Sequence, residues 1–116
     1  MDKRRQDRLN SEFKKIISNS IMNLNTTQND LITITECKVS LDLSYLDVYF
    51  TCMSANKSDE ILEKLNSASG FIKHDISNNI KIRQIPKLRF HYDETLDYAD
   101  KINNLLKKIN IDEEEN

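Results

Sequence analysis

The sequence predicts an α+β fold in which helices cover one face of a three-stranded sheet. Segments with apolar residues at helical spacing and segments with strand-like alternation follow one another in the order helix, strand, strand, helix, helix, strand, helix. A length of 116 residues with 38% hydrophobic residues allows one domain with a modest core. We therefore expect a single domain over residues 1–109, followed by an acidic, disordered tail over residues 110–116.

The first helix is predicted over residues 3 to 24, because its apolar positions fall within one arc at about 100° per residue. These positions are Leu9, Phe13, Ile16, Ile17 and Leu24. Arg4, Arg8 and Lys15 line the opposite side of the same helix. Basic residues opposite an apolar arc are commonly a solvated face, so this stripe gains a function only if a partner surface meets it.

Two strands are expected next, the first over the β-branched residues 31–35 and on through Val39. The second alternates apolar and polar residues over 46–52, as a strand with one buried face does. Because the connection over residues 40–45 is short, the two strands are predicted to pair antiparallel.

The only glycine, Gly70, follows Ala68 and Ser69 between two short helical stretches. A glycine so rare in the chain is expected where a side chain cannot fit, at a sharp helix–kink–helix junction. Asn56 or Ser58 is expected to cap the helix before this kink.

Pro86 ends the helical pattern after the kink, and residues 87–92 alternate as a third strand. Lys87, Arg89 and His91 are expected on the sheet face away from the helices, where the alternative is that they are simply solvated. Tyr49 could stack on a base on this face, although an exposed strand tyrosine is more often just a good strand former. A last helix is predicted to start at Asp93 or Thr95.

The net charge of −2 is unevenly distributed along the chain. Basic residues crowd the first helix and the segment after the kink, whereas acidic residues collect after residue 93. The molecule should be electrically polarised, and a local basic surface suits phosphate binding whatever the total charge.

Other residue patterns argue against catalysis and against metal or cofactor binding. Cys37 and Cys52 lie in predicted strands without C-x-x-C spacing, which is typical of buried reduced thiols. His74 and His91 lie in different elements, and one glycine cannot form a phosphate-cradling glycine loop. These patterns offer no catalytic site, so we expect a protein without enzymatic activity. No apolar run approaches the roughly 20 residues that cross a bilayer, so we expect a cytoplasmic protein.

The chain up to about residue 109 resembles the bacterial ribosome-binding factor A family. The motifs that carry the resemblance are Arg5-x-x-Arg8, Ser40-x-Asp42-Leu43, Val48-Tyr49-Phe50-Thr51, Ala68-Ser69-Gly70-Phe71-Ile72-Lys73 and Arg83-x-x-Pro86-x-Leu88-x-Phe90-x-x-Asp93. The chain departs from the family pattern at Lys73, where arginine is usual, and at Leu46, where a small residue is usual.

The resemblance implies a type II K-homology-like two-layer sandwich, in which the kink Ala68-Ser69-Gly70 replaces the Gly-x-x-Gly loop that clamps nucleotides. It also implies a monomeric assembly factor that binds the small (30S) ribosomal subunit and 16S rRNA during late maturation and rRNA processing, often important in the cold. The candidate RNA-binding residues are Arg4, Arg5, Arg8, Lys15, Lys73, His74, Lys81, Arg83, Lys87 and Arg89. The alternative is a protein–protein interaction module that binds an acidic protein partner.

Overall fold

The computed structural model describes residues 2–24, 32–52 and 55–94. In chain order these residues form α1 (Lys3–Met22), β1 (Thr33–Val39), β2 (Tyr45–Thr51), a 3-10 turn (Ala55–Lys57), α2 (Ser58–Ser67), α3 (Ser69–Asn79) and β3 (Lys87–Tyr92). This order confirms the predicted α+β fold through the third strand. The predicted last helix and the acidic tail lie outside the described residues.

The three strands form one mixed sheet in the order β1-β2-β3. β1 pairs antiparallel with β2, which confirms the predicted hairpin, and β2 pairs parallel with β3. A parallel pair needs a long crossover connection, which α2 and α3 provide between β2 and β3. The three helices of the described residues therefore pack on one sheet face, whose buried residues are Ile34, Cys37, Val39, Leu46, Val48, Phe50, Leu88 and Phe90.

The core lies between this sheet face and the apolar stripes of the helices. α1 contributes Phe13 and Ile17, which are fully buried, and α3 contributes Ile72 and Ile76. Both cysteines are buried and are not joined in a disulfide, as predicted. Burial raises the pKa of the Cys37 thiol to about 12, so this thiol stays protonated and packs as a small apolar group.

α1 is held to the rest of the fold at both ends by hydrogen bonds. Near its start, the Gln6 amide donates to the Val39 carbonyl oxygen at 2.7 Å, and Asn10 Oδ1 accepts from the Val39 amide at 2.8 Å. These bonds satisfy backbone groups on an edge strand, which would otherwise be open to another chain. Near its end, Ser20 Oγ donates to Asp75 Oδ2 of α3 at 2.7 Å.

The β1–β2 connection is locked by the side chains of Ser40 and Asp42. Ser40 Oγ donates to Asp42 Oδ1 at 2.8 Å and accepts from the Tyr45 amide at 3.0 Å, while the Ser44 amide donates to Asp42 Oδ1 at 3.1 Å. Hydrogen bonds from Ser44 and Ser40 lower the pKa of Asp42 to about 2. Leu43 adopts a positive φ of 63°, which this short connection requires.

The kink lies where it was predicted, but its physical basis differs from the prediction. Ala68 alone separates α2 from α3, with φ −88° and ψ 1°, a conformation open to any L-residue. Gly70 lies in the first turn of α3 without a positive φ, and a Cβ built on it meets no atom within 4 Å. The expectation that no side chain fits at Gly70 is therefore wrong, because the chain turns at Ala68 and Gly70 faces open space.

The predicted side-chain cap of α2 is also wrong. The 3-10 turn leads directly into α2, and the N-cap position is Lys57, which makes no side-chain capping bond. Asp59 and Glu60 occupy the first turn instead, where their charge complements the helix dipole.

Candidate nucleic-acid interface

Arg4, Arg8 and Lys15 are exposed along the side of α1 opposite the core. Arg8 Nε lies 3.9 Å from Glu12 Oε1, and both side chains are exposed. Exposed pairs of this kind contribute little energy, so Arg8 can exchange Glu12 for a phosphate at small cost. Arg5 is also exposed, and its backbone amide donates to the capping carboxylate of Asp2.

The first turns of α1 and the start of β3 lie at the same end of the sheet. Gln6 and Asn10 hold α1 against Val39, which pairs with Leu46 of β2. At the adjacent position, Lys87 pairs with the first residue of β2 and donates its amide to the Ser44 carbonyl oxygen at 2.9 Å. The arginines of the first turns and exposed Lys87 therefore lie at the same end of the fold, but on opposite sides of the sheet.

The basic residues of α3 lie towards the other end of α1. Lys73 is half-buried and His74 is exposed, and they directly precede Asp75, whose carboxylate accepts from Ser20. At 1.5 Å per residue, Ser20 is about 24 Å along the helix axis from Arg4. Exposed Lys81 and Arg83 occupy the connection from α3 to β3. The predicted residues thus span a long surface rather than forming one compact cluster.

The α2 side of the kink is acidic and is a poor place for a phosphate. A shallow groove there is lined by Glu60, Glu63, Lys64, Ser67 and Ala68. This lining carries two glutamates and one lysine, whose Nζ lies 3.6 Å from Glu60 Oε1, so the net charge of the lining is negative. A phosphate-binding surface at the kink is therefore expected on the α3 side.

Arg89 and His91 lie on the open sheet face, as predicted, but both contact a carboxylate that the sequence analysis did not single out. Arg89 Nε and Nη2 donate to Asp47 at 2.8 and 3.0 Å, and His91 Nε2 lies 2.9 Å from Asp47 Oδ1. Partial burial raises the pKa of Asp47, but these bonds outweigh burial and lower it overall. Arg89 is thus exposed but already bonded to Asp47 across the β2–β3 pair.

Aromatic rings flank this ion pair on both sides. The Arg89 guanidinium lies 4.2 Å from the centroid of the Tyr45 ring, while the Tyr49 and His91 rings lie 5.1 Å apart at 30°. Alternation along β2 places Tyr45, Asp47 and Tyr49 on one face and could have identified all three from the sequence. Their partners on β3 could not be assigned without the strand order and register.

Comparison with known proteins identifies the family. Residues 5–106 match the profile of the family described as Ribosome-binding factor A. The chain belongs to the ribosome-binding factor A family. Ribosome-binding factor A of Finegoldia magna is 41% identical over 113 residues, which cover 94% of this chain and 93% of that protein. The members of this family are ribosome-binding factors, and the family is not a known class of enzymes.

Solved structures of ribosome-binding factor A show the same fold. The crystal structure from Thermus thermophilus matches with a TM-score of 0.68 and 22% identity, covering 75% of this chain and 94% of that one. A Thermus thermophilus homology model fitted into a cryo-EM map of a complex with the 30S subunit matches with a TM-score of 0.63 and 21% identity, covering 72% and 90%. The observed fold is compatible with the predicted K-homology-like arrangement. Within the described residues, no helix is long and apolar enough to cross a membrane.

Proposed function

We propose that this chain binds the small ribosomal subunit through 16S rRNA during late maturation and rRNA processing. The observation that carries the proposal is membership of the ribosome-binding factor A family, in which a relative has been fitted as a complex with the 30S subunit. The protein would act in the cytoplasm as a monomer, holding or shielding an RNA conformation and then leaving without covalent chemistry.

The exposed basic side chains support RNA as the part of the subunit that is bound. Arginine and lysine supply most phosphate contacts, which position a protein on RNA without reading its sequence. The α1 stripe is exposed, as are His74, Lys81 and Arg83 after the kink, and the Arg8–Glu12 pair in the stripe is a weak surface pair. Because the whole chain has a net charge of −2, any attraction to RNA phosphates must come from these local basic surfaces.

Co-sedimentation with isolated small subunits, large subunits and joined ribosomes at low and moderate salt tests the proposal. Two charge-reversal variants probe the surface, Arg4→Glu/Arg8→Glu on α1 and Lys81→Glu/Arg83→Glu after the kink. The matched control is Lys57→Glu/Lys64→Glu, at the N-cap and in the last turn of α2, which changes the charge equally. Like the α1 variant, it removes one exposed (i, i+4) ion pair.

We expect the wild-type chain to sediment with small subunits only and the control to behave like it. The two surface variants should bind more weakly, with a salt dependence flatter by roughly 0.7–0.9 per lost phosphate contact. Unchanged affinity and salt slope in both variants would refute the basic surface. Binding that persists after ribonuclease treatment would instead favour an acidic protein partner.

A further inference from the structure

The sheet face opposite the core is not covered by any helix in the part of the chain that the structure describes. Its outward side chains include Tyr45 and Tyr49 on the central strand, and Arg89 and His91 beside them on β3. We propose that this open face is a second RNA contact, on which unpaired nucleotides stack. The inference rests on the proposed function for the identity of the partner as RNA, and it adds a site separate from the α1 stripe.

Two planar pairs give the face its stacking capacity. Tyr45 is paired with the Arg89 guanidinium at 4.2 Å, and Tyr49 is paired with the His91 ring at 5.1 Å. Arg89 and His91 are themselves anchored, because both bond to the Asp47 carboxylate that lies between the two tyrosines along β2. The planar groups are thus oriented before any ligand arrives, which lowers the entropy lost on binding.

The spacing of the two tyrosines selects unpaired RNA over a duplex. Tyr45 and Tyr49 are four positions apart on one strand, which corresponds to about 13 Å at ~3.3 Å per residue. Successive bases within one strand of a duplex are only about 3.4 Å apart. Both rings can be used together only by a strand whose bases are splayed out, the form in which proteins commonly stack RNA bases on aromatic side chains.

Charge and polarity favour RNA over a protein on this face. Asp47 is matched by Arg89 and Glu36 by Lys38 at 3.8 Å, Asp93 after β3 accepts from Thr35 Oγ1 at 2.6 Å, and Lys87 adds an exposed cation. Lys38 Nζ also lies 5.6 Å from the centroid of the Tyr49 ring, placing a cation beside a stacking position. Apart from the tyrosines, the face carries threonines and charged residues, whereas the cores of protein interfaces are depleted of charge.

The experiment compares RNA binding by the full-length chain and two double variants. Tyr45→Leu/Tyr49→Leu removes both rings while keeping apolar bulk, and Tyr45→Phe/Tyr49→Phe keeps the rings as the matched control. The probes are a short oligouridine, which is unstructured, and an RNA duplex with the same number of phosphates, each measured at two salt concentrations. Quenching of tyrosine fluorescence by oligouridine in the wild-type chain is a second readout, since the chain has no tryptophan and four tyrosines.

We expect the leucine variant to bind oligouridine at least about 10-fold more weakly, since each stacked base contributes roughly 5- to 150-fold in Kd. Its affinity for the duplex should be unchanged, and the phenylalanine variant should match the wild type. Equal oligouridine affinity in the leucine variant, or no quenching in the wild type, would overturn the inference. Should the leucine variant fail to fold, the wild-type quenching decides.

Failure of this inference is distinguishable from failure of the proposed function. Tyrosine-independent RNA binding with retained co-sedimentation overturns only the stacking face. If the wild-type chain does not co-sediment with small subunits, the proposed function itself is overturned.

Discussion

Replacing Gly70 by alanine should stabilise the protein, contrary to what the rarity of glycine in this sequence suggests. Gly70 lies in the first turn of α3 without a positive φ, and an added Cβ meets no atom within 4 Å. The folded state therefore loses nothing, while the unfolded chain loses the extra freedom of glycine. Such a change is worth about 0.4–1 kcal/mol, and we expect the lower part of that range because helix ends fray.

Urea denaturation followed by far-ultraviolet circular dichroism measures this change in the free energy of unfolding. Asn78→Ala, at an exposed position late in the same helix, is the control for a general effect of alanine on α3. Gly70→Val should lie within about 0.5 kcal/mol of the wild type, because valine is a poorer helix former than alanine but meets no clash. Destabilisation by more than about 1 kcal/mol in both Gly70 variants would refute the reasoning and restore a steric role for the glycine.

Two further predictions concern side-chain hydrogen bonds that fix the elements to one another. Ser20→Ala should lower the free energy of unfolding by about 1–3 kcal/mol, because Ser20 is 1% exposed and donates to the Asp75 carboxylate. Asp75→Asn keeps an acceptor and should cost less, and equal costs in urea denaturation would contradict this. Asp42 should titrate near pH 2 in the folded chain rather than at its ordinary pKa of 3.8, as followed by the NMR shift of its carboxyl carbon. Since the folded pKa is the lower one, the stabilisation is complete above about pH 4 and is lost as the pH falls through about 2, and titration near 3.8 would contradict the observed turn.

Local patterns in the sequence predicted most of the fold because they reflect contacts within single elements. The apolar arc of α1 places Phe13 and Ile17 in the core, and the alternation of β2 places Val48 and Phe50 there. The short connection between β1 and β2 leaves antiparallel pairing as the simple solution. Because such periodic patterns lie within single elements, the sequence alone predicts which helical stripe and which strand face are buried.

Backbone conformation at the kink was less accessible to sequence reasoning. The rarity of glycine suggested steric need at Gly70, whereas the turn is made by the dihedrals of Ala68. Those dihedrals depend on how α2 and α3 pack on the sheet, and any L-residue can adopt them. The same holds for the start of α2, where a 3-10 turn replaces the expected side-chain cap.

The candidate site divides in a similar way. The sequence by itself determined the family, the α+β class, the exposed basic stripe of α1 and the polar outer face of β3, since each depends on residue type and local period. Only the tertiary structure decided that Asp47 binds Arg89 and His91, and that Tyr45 and Tyr49 pair with them. These contacts join residues about 42 to 44 positions apart. They depend on the parallel register of β2 and β3, which arises from packing the whole chain and leaves no trace in the period of either strand.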